Sequence, residues 1–202
     1  MPSALRIKEI RDLEDNVMMQ NGALTENVTF PAGHVVQVKH DYVETRTLVS
    51  NQTLKYMETS ITSKYDNSQF IVDLILPVAK YSGYLDRDTA IAVGFKSSSA
   101  SSSSSDYSSL YGTTNRWTRH EISGLNSFRV TDTQGMGGTG EQYWIENIIF
   151  KGIAIPNLNK NTTIYFATWI STDDSIYFGG SWGNSDTDSG QISSMTIYEV
   201  TA

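Results

Sequence analysis

The chain is a series of short segments rich in β-branched and aromatic residues, separated by turn residues, without convincing helical periodicity over any window of helical length. The period of two is clearest in residues 35–42, where one face would carry Val36, Val38, His40 and Tyr42 and the other Val35, Gln37, Lys39 and Asp41. Similar segments follow at 54–65, 70–79, 89–95, 143–155, 162–171 and 191–200. Roughly nine or ten short strands predict an all-β protein, a jelly-roll-like antiparallel β-sandwich.

Alternating apolar positions in these segments predict the core of the sandwich. The expected core residues are Val72, Leu74, Leu76, Ile148, Phe150, Ile164, Phe166 and Ile197. Trp144 and Trp169 lie inside strand-like segments and are also predicted to be buried. Pro77 has no N–H to donate to a sheet, so we expect it at a strand end or on an edge strand.

Residues 1–33 differ from the rest because their apolar residues occur only in short groups, separated by turn-forming residues such as Asn21-Gly22. A segment this thin cannot bury enough apolar surface alone to offset its ordering entropy. We therefore predict two parts: an N-terminal attachment segment, 1–33, ordered by association, and a β-sandwich head domain, 34–202. The alternative for 1–33 is a disordered arm.

Charge and cysteine content exclude several classes of function. The chain has 15 Lys and Arg against 22 Asp and Glu, a net charge of −7, and no basic cluster. Nucleic acids and anionic membrane surfaces are therefore not expected partners. The absence of cysteine excludes disulfides and thiolate sites and is typical of folding in a reducing cytoplasm. The apolar stretch 70–79 contains Asp73 and is too short for membrane insertion.

Two low-complexity stretches are predicted to be loops. The glycine-rich residues 135–140 are followed by Glu141-Gln142, so they lack the Lys and Ser or Thr of a phosphate-binding loop. The stretch indicates a mobile hairpin tip. The serine tract Ser97–Ser105 is interpreted either as a flexible loop presented to solvent or as a spacer between two core strands.

No constellation of residues indicates catalysis or a metal. His34, His40 and His120 lack metal-ligand spacing, and no nucleophile elbow surrounds any serine. Nothing marks the carboxylates Glu121, Glu141 and Glu146 as a hydrolytic pair. The aspartates at 173–174 and at 186 and 188 could offer oxygens to calcium, but solvated turns are the favoured interpretation. We therefore predict no enzyme activity, no cofactor and no metal.

Two tryptophans lie in polar, glycine-rich surroundings that a core residue would not favour. Trp182 follows Gly179-Gly180-Ser181, and Trp117 lies beside Arg116. An aromatic face flanked by polar groups suits the recognition of sugars or proteins. The candidate receptor-binding residues are therefore Trp182, Trp117, Asn184, Asp186 and Arg116. The alternative for Trp182 is a cap over one end of the sandwich.

The segment FPAGHVVQVKHDYVET, residues 30–45, resembles a pattern of bacteriophage tail-fibre and virion proteins in which a Pro-Ala-Gly-like turn leads into a V-x-Q-V strand. The strands at 56–65, 70–79 and 192–200 are similar to the terminal β-domain of that family. The resemblance implies a homotrimeric fibre or spike on a virus particle, with no fixed catalytic residues. The serine tract and residues 107–140 depart from the family pattern.

These observations favour a phage virion structural protein, a tail fibre or spike that acts as a host-receptor adhesin. It would assemble in the host cytoplasm, contact other virion proteins through residues 1–33, and bind a host surface glycan or protein. One alternative is a capsid decoration protein or head fibre with a purely structural role, which the shortness of the chain favours. A second alternative is a carbohydrate-binding, lectin-like module.

Overall fold

The computed structural model describes residues 9–11, 17–20, 23–24, 32–45, 47–81, 89–111, 122–126, 128–129, 143–179 and 192–202. Near the N-terminus, three short strands form an antiparallel sheet of their own: β1 (Glu9–Arg11), β2 (Val17–Gln20) and β3 (Ala23–Leu24). These strands belong to the segment predicted to attach the protein or to trimerise it, and that role stays a prediction.

Nine further strands are joined by hydrogen bonds. In chain order they are β4 (Val35–Val43), β5 (Thr47–Thr62), β6 (Gln69–Tyr81), β7 (Thr89–Ser97), β8 (Ser108–Ser109), β9 (Phe128–Arg129), β10 (Tyr143–Ala154), β11 (Thr163–Phe178) and β12 (Ser193–Val200). They form two antiparallel sheets packed face to face. Sheet I has the order β10-β6-β12-β4, and sheet II has the order β5-β11-β7, with β8 and β9 both pairing with β7. The predicted all-β antiparallel sandwich is confirmed.

The two sheets share one corner, at which β6 changes its neighbour. Along most of its length β6 pairs with β12, up to Ile75, and from Val78 it pairs with β11. Pro77 lies between these two pairings, and its carbonyl oxygen accepts a hydrogen bond from the N–H of Gly179 at 3.0 Å. The expectation of a strand end or edge for Pro77 is therefore wrong. An interior position is tolerated because the missing N–H falls where one partner strand has ended and the next begins.

The core lies between the inner faces of the two sheets. All eight predicted core residues belong to it, seven of them buried and Ile148 partly buried. From Phe70 through Val72 and Leu74 to Leu76 the buried positions of β6 alternate strictly, and at the shared corner Pro77 and Val78 are both buried. The period of two in this segment therefore predicted the inner face of sheet I correctly.

A buried carboxylate closes one side of the sandwich. Glu199 of β12 is fully buried and accepts hydrogen bonds from the Lys64 N–H at 2.8 Å, the Ser68 hydroxyl at 2.6 Å and the Gln37 side-chain amide. Gln37, on β4, also donates to the carbonyl oxygen of Thr62 at 2.6 Å. These side-chain hydrogen bonds connect the end of sheet I to the turn that follows β5. The edge strands β4 and β5 are not themselves paired by backbone hydrogen bonds.

Candidate interaction surface

The outer face of sheet II is covered by the chain itself. Residues 101–107 and 122–126 lie against this face and form a second apolar cluster with it: Ala90, Ala92, Tyr107, Ile122, Leu125, Ala167 and Trp169. The Trp169 ring meets Tyr107 edge-on, with centroids 5.9 Å apart, and is 4% exposed. Trp169 is thus buried as predicted, but in this outer cluster and not between the two sheets.

The covering segment includes the serine tract, which is held by specific hydrogen bonds. The Tyr107 hydroxyl donates to Glu58 Oε2 at 2.6 Å and accepts from the Ser101 N–H at 3.1 Å. Lys55 Nζ lies 2.7 Å from the same Glu58 oxygen and donates to the Ser101 carbonyl at 3.0 Å. A 3₁₀ turn at Ser104–Asp106 ends the tract. These contacts tie Ser101 to the covered face, and the tract connects β7 to β8 as the spacer interpretation expects, while Ser98, Ser99 and Ser102 are exposed to solvent.

The contacts of Tyr107 change its acidity. Burial, and after it the hydrogen bond to the Glu58 carboxylate, raise the pKa of the Tyr107 hydroxyl to about 12. Both effects disfavour the phenolate, because it would be poorly solvated and would face a negative charge. The covered face thus contains a hydroxyl that stays protonated under ordinary conditions.

The outer face of sheet I has no such cover among the described residues, and we call it the open face. Its side chains form three cross-strand rows. The first row, from β4 to β10, is Tyr42, Ser194, Ile75 and Ile149. The second row is His40, Thr196, Asp73 and Lys151. The third row is Val38, Tyr198, Ile71 and Ile153, continued by Tyr111 across an isolated bridge.

The outer two rows of the open face are apolar except for Ser194, and most of their side chains are solvent-exposed, with Ile71, Ser194 and Tyr198 half-buried. Most of the large exposed hydrophobic side chains of the described chain lie here, with Ile149 76% exposed and Tyr111 64% exposed. The middle row is polar and internally paired: Lys151 Nζ lies 3.3 Å from Asp73 Oδ1, and His40 Nδ1 lies 2.9 Å from the Thr196 hydroxyl. Two apolar rows flanking a neutral polar row are typical of a surface that contacts another protein.

The open face has a signal in the sequence that strand alternation alone does not reveal. Segments 70–79 and 143–155 are apolar at both odd and even positions, as in Ile71 with Val72 and Ile149 with Phe150. Strands that are apolar on both faces are typical of sheets covered on both sides. Among the described side chains on the second side of these strands, Ile75, Ile149 and Ile153 are exposed and Ile71 is half-buried.

A small polar cleft lies where the edge strands β4 and β5 approach each other. It has a volume of about 190 Å³ and is lined by Lys39, Asp41, Glu58, Thr59, Ser60 and Tyr165. Within the described ranges no group of three or more His, Cys, Asp or Glu side chains is placed to hold a metal ion. The cleft therefore offers hydrogen-bonding groups together with side chains of both charges.

The five candidate receptor-binding residues, Trp182, Trp117, Asn184, Asp186 and Arg116, all lie outside the described residues. The same holds for the glycine-rich stretch 135–140, and the side chain of Trp144 is likewise not described. The predicted receptor site is therefore not tested. In the described part of the chain, no helix is long and apolar enough to cross a membrane.

No protein-family model matches the sequence, and a search of curated proteins finds no match. Among solved structures, a chain in "Structure of infectious bursal disease virus Gx strain" aligns with a TM-score of 0.22 and 9% identity, over 83% of this chain and 37% of that chain. A superposition this weak carries no argument about fold or function.

Proposed function

We propose that this chain is a non-enzymatic structural subunit of a bacteriophage particle and that the sandwich joins the particle through its open face. The observation that carries the proposal is the exposure of two apolar rows on sheet I, when the outer face of sheet II is covered by the chain's own residues. The resemblance of residues 30–45 to virion proteins is the reason for proposing a virus particle as the assembly that this chain joins.

Exposed apolar area is the physical reason for a partner. Ile149 and Ile75 are direct neighbours in one row, and Tyr42 lies in the same row beyond Ser194, so water must solvate a largely apolar strip. Covering such a strip is favourable by about 25 cal/mol per Å² of apolar surface. The polar middle row fixes the register of any partner, because each polar side chain of this row must face a polar group of the partner or stay in contact with water.

Of the two virion roles expected from the sequence, a structural role has the support of described residues. The adhesin role depends on Trp182, Trp117 and their polar neighbours. Its test is Trp182→Ala, which should lower binding to host cells and leave thermal stability nearly unchanged. A loss of stability with unaltered adhesion would show that Trp182 is a packing residue. The structural role would then be the one that remains.

The proposed function is tested by incorporation into particles. Host cells producing the phage would express tagged protein carrying Ile149→Asp, and purified particles would be assayed by immunogold labelling and mass spectrometry. We expect the variant to be absent from particles although it folds, because a carboxylate would be desolvated in the interface. The matched control is Leu48→Asp, which makes the same change at an exposed residue of β5 away from the open face. Equal incorporation of both variants would overturn the proposal.

A further inference from the structure

We infer that the partner on the open face is a second copy of this chain, packed face to face about a two-fold axis that runs parallel to the strands. This inference rests on the proposed function, because it names the partner of the same surface. It depends on three properties of the face: its net charge, the order of side chains along its rows, and its area.

The charge of the face favours a copy over a partner of different charge. The chain carries a net charge of −7, yet the three rows contain one lysine and one aspartate, which sum to zero with neutral His40. An acidic protein repels its own copies over most of its surface, and least where the surface is neutral. A strongly basic partner would instead be expected to select an acidic face.

The order of side chains selects one two-fold arrangement. An axis parallel to the strands places β4 of one copy over β10 of the other. In the first row Tyr42 then lies opposite the partner's Ile149, and in the third row Val38 lies opposite the partner's Ile153, so apolar side chains meet apolar side chains. The exception is the small Ser194, which lies opposite the partner's Ile75. An interface between identical surfaces must have this reciprocal form.

The polar row distinguishes this arrangement from the other in-plane axis. With the axis parallel to the strands, Lys151 faces the partner's His40, and Asp73 faces the partner's Thr196. With the axis perpendicular to the strands, the polar row would lie on itself, so that Asp73 would meet the partner's Asp73 and Lys151 the partner's Lys151. Like charges that meet directly are unfavourable, so the parallel axis is selected.

The area of the face is sufficient for a pair. Four strands spaced about 4.8 Å apart and the eight residues of β12 at about 3.4 Å each give a footprint of about 19 Å by about 27 Å, or about 500 Å² per copy. Two copies would together bury at least about 1,000 Å², the lower bound for a specific interface. Aligned packing of two sheets accommodates this contact with their usual twist angle of about 30°.

The test is sedimentation velocity of the full-length chain over a concentration series, with three variants compared at equal concentration. Ile149→Asp should weaken self-association at least about tenfold, because each of the two symmetric sites would place a carboxylate against the partner's Tyr42 in an apolar row. Leu48→Asp, with the same charge change elsewhere, should associate like the unmodified chain. Any association through residues 1–33 is common to all variants, so the differences report on the open face alone.

The third variant, His40→Asp, tests the axis. In the parallel-axis pair it places a carboxylate opposite the partner's Lys151 at two symmetric sites, so self-association should tighten roughly 2- to 30-fold. With the perpendicular axis it would place two aspartates together and weaken association. Weaker association of His40→Asp, or unchanged association of Ile149→Asp, overturns the inference.

Particle incorporation separates this inference from the proposed function. If Ile149→Asp self-associates normally but is missing from particles, the open face binds a different virion protein, and the inference falls while the proposed function holds. If Ile149→Asp is normal in both assays, both fall. Melting curves for each variant show that the differences come from the surface and not from unfolding.

Discussion

The outer faces of the two sheets differ in the side chains that they present. On sheet II the covered positions are mostly small, Ala90, Ala92 and Ala167, with Trp169 buried and Tyr165 partly buried as the large residues. On sheet I the corresponding outward positions include isoleucines, tyrosines and a valine. Small residues let a crossing segment of the same chain approach the sheet closely. Large, exposed residues instead suit a contact with a separate surface, because the binding free energy of such a contact comes from burying side chains.

The largest expected effect is on the covered face. Trp169→Ala should lower the free energy of unfolding by about 3–5 kcal/mol, because the ring fills the space between sheet II and the covering segment. Urea denaturation monitored by circular dichroism measures the loss. A change below about 1 kcal/mol would show that the covering segment does not pack on sheet II.

A second substitution tests how closely the covering segment approaches. Gly94 faces it, and a Cβ at this position would lie 2.8 Å from both Leu125 Cδ2 and Tyr107 Cβ. Gly94→Ala should therefore lower the free energy of unfolding by about 1–3 kcal/mol through overpacking. Ser194→Ala, on the open face, is the control and should change stability by less than about 0.5 kcal/mol. Equal effects at the two positions would remove the distinction between the faces.

The third prediction concerns alkaline pH. Because the pKa of Tyr107 is raised to about 12, the folded protein keeps a proton that the unfolded chain releases near pH 10. The contribution of Tyr107 is therefore complete below pH about 10 and is lost as the pH rises towards 12. Tyr107→Phe should cost about 1 kcal/mol at neutral pH and make stability fall less steeply in this alkaline range.

Thermal melting of both proteins across the alkaline range gives the comparison. Burial also raises the pKa of Tyr56, but Tyr56 is present in both proteins, so the difference between the two profiles reports on Tyr107. Parallel profiles would mean that the Tyr107–Glu58 hydrogen bond does not form.

The smallest effect is expected on the open face. Ile149→Ala should change the free energy of unfolding of the dilute monomer by less than about 0.5 kcal/mol, because the side chain is already 76% exposed. The measurement is urea denaturation below the concentration at which the protein associates. A loss of more than about 2 kcal/mol would show that Ile149 is covered within its own chain.

The sequence predicted the layer between the sheets better than the surfaces outside it. Alternation assigns Val72 and Leu74 to one face and Ile71 to the other, but it does not say whether a cover lies over the second face. Glu199 is a polar residue at an inward position, and its donors come from the turn around Lys64 and Ser68, distant in sequence. Such a contact depends on the tertiary fold and leaves no local pattern. The serine tract was ambiguous for the same reason, since its order comes from Tyr107, Glu58 and Lys55.

The position of β12 sets an order of events during synthesis. Strand β4 emerges from the ribosome early, yet its hydrogen-bonded neighbour in the sandwich is β12, about 150 residues later in the chain. The three main strands of sheet II are complete before β12 appears, so that half can pair first. Until β12 arrives, β4 is unpaired and one edge of β6 lacks its hydrogen-bonded partner strand, and exposed strand edges make a nascent chain prone to associate wrongly. Sheet I, which presents the open face, is thus finished last.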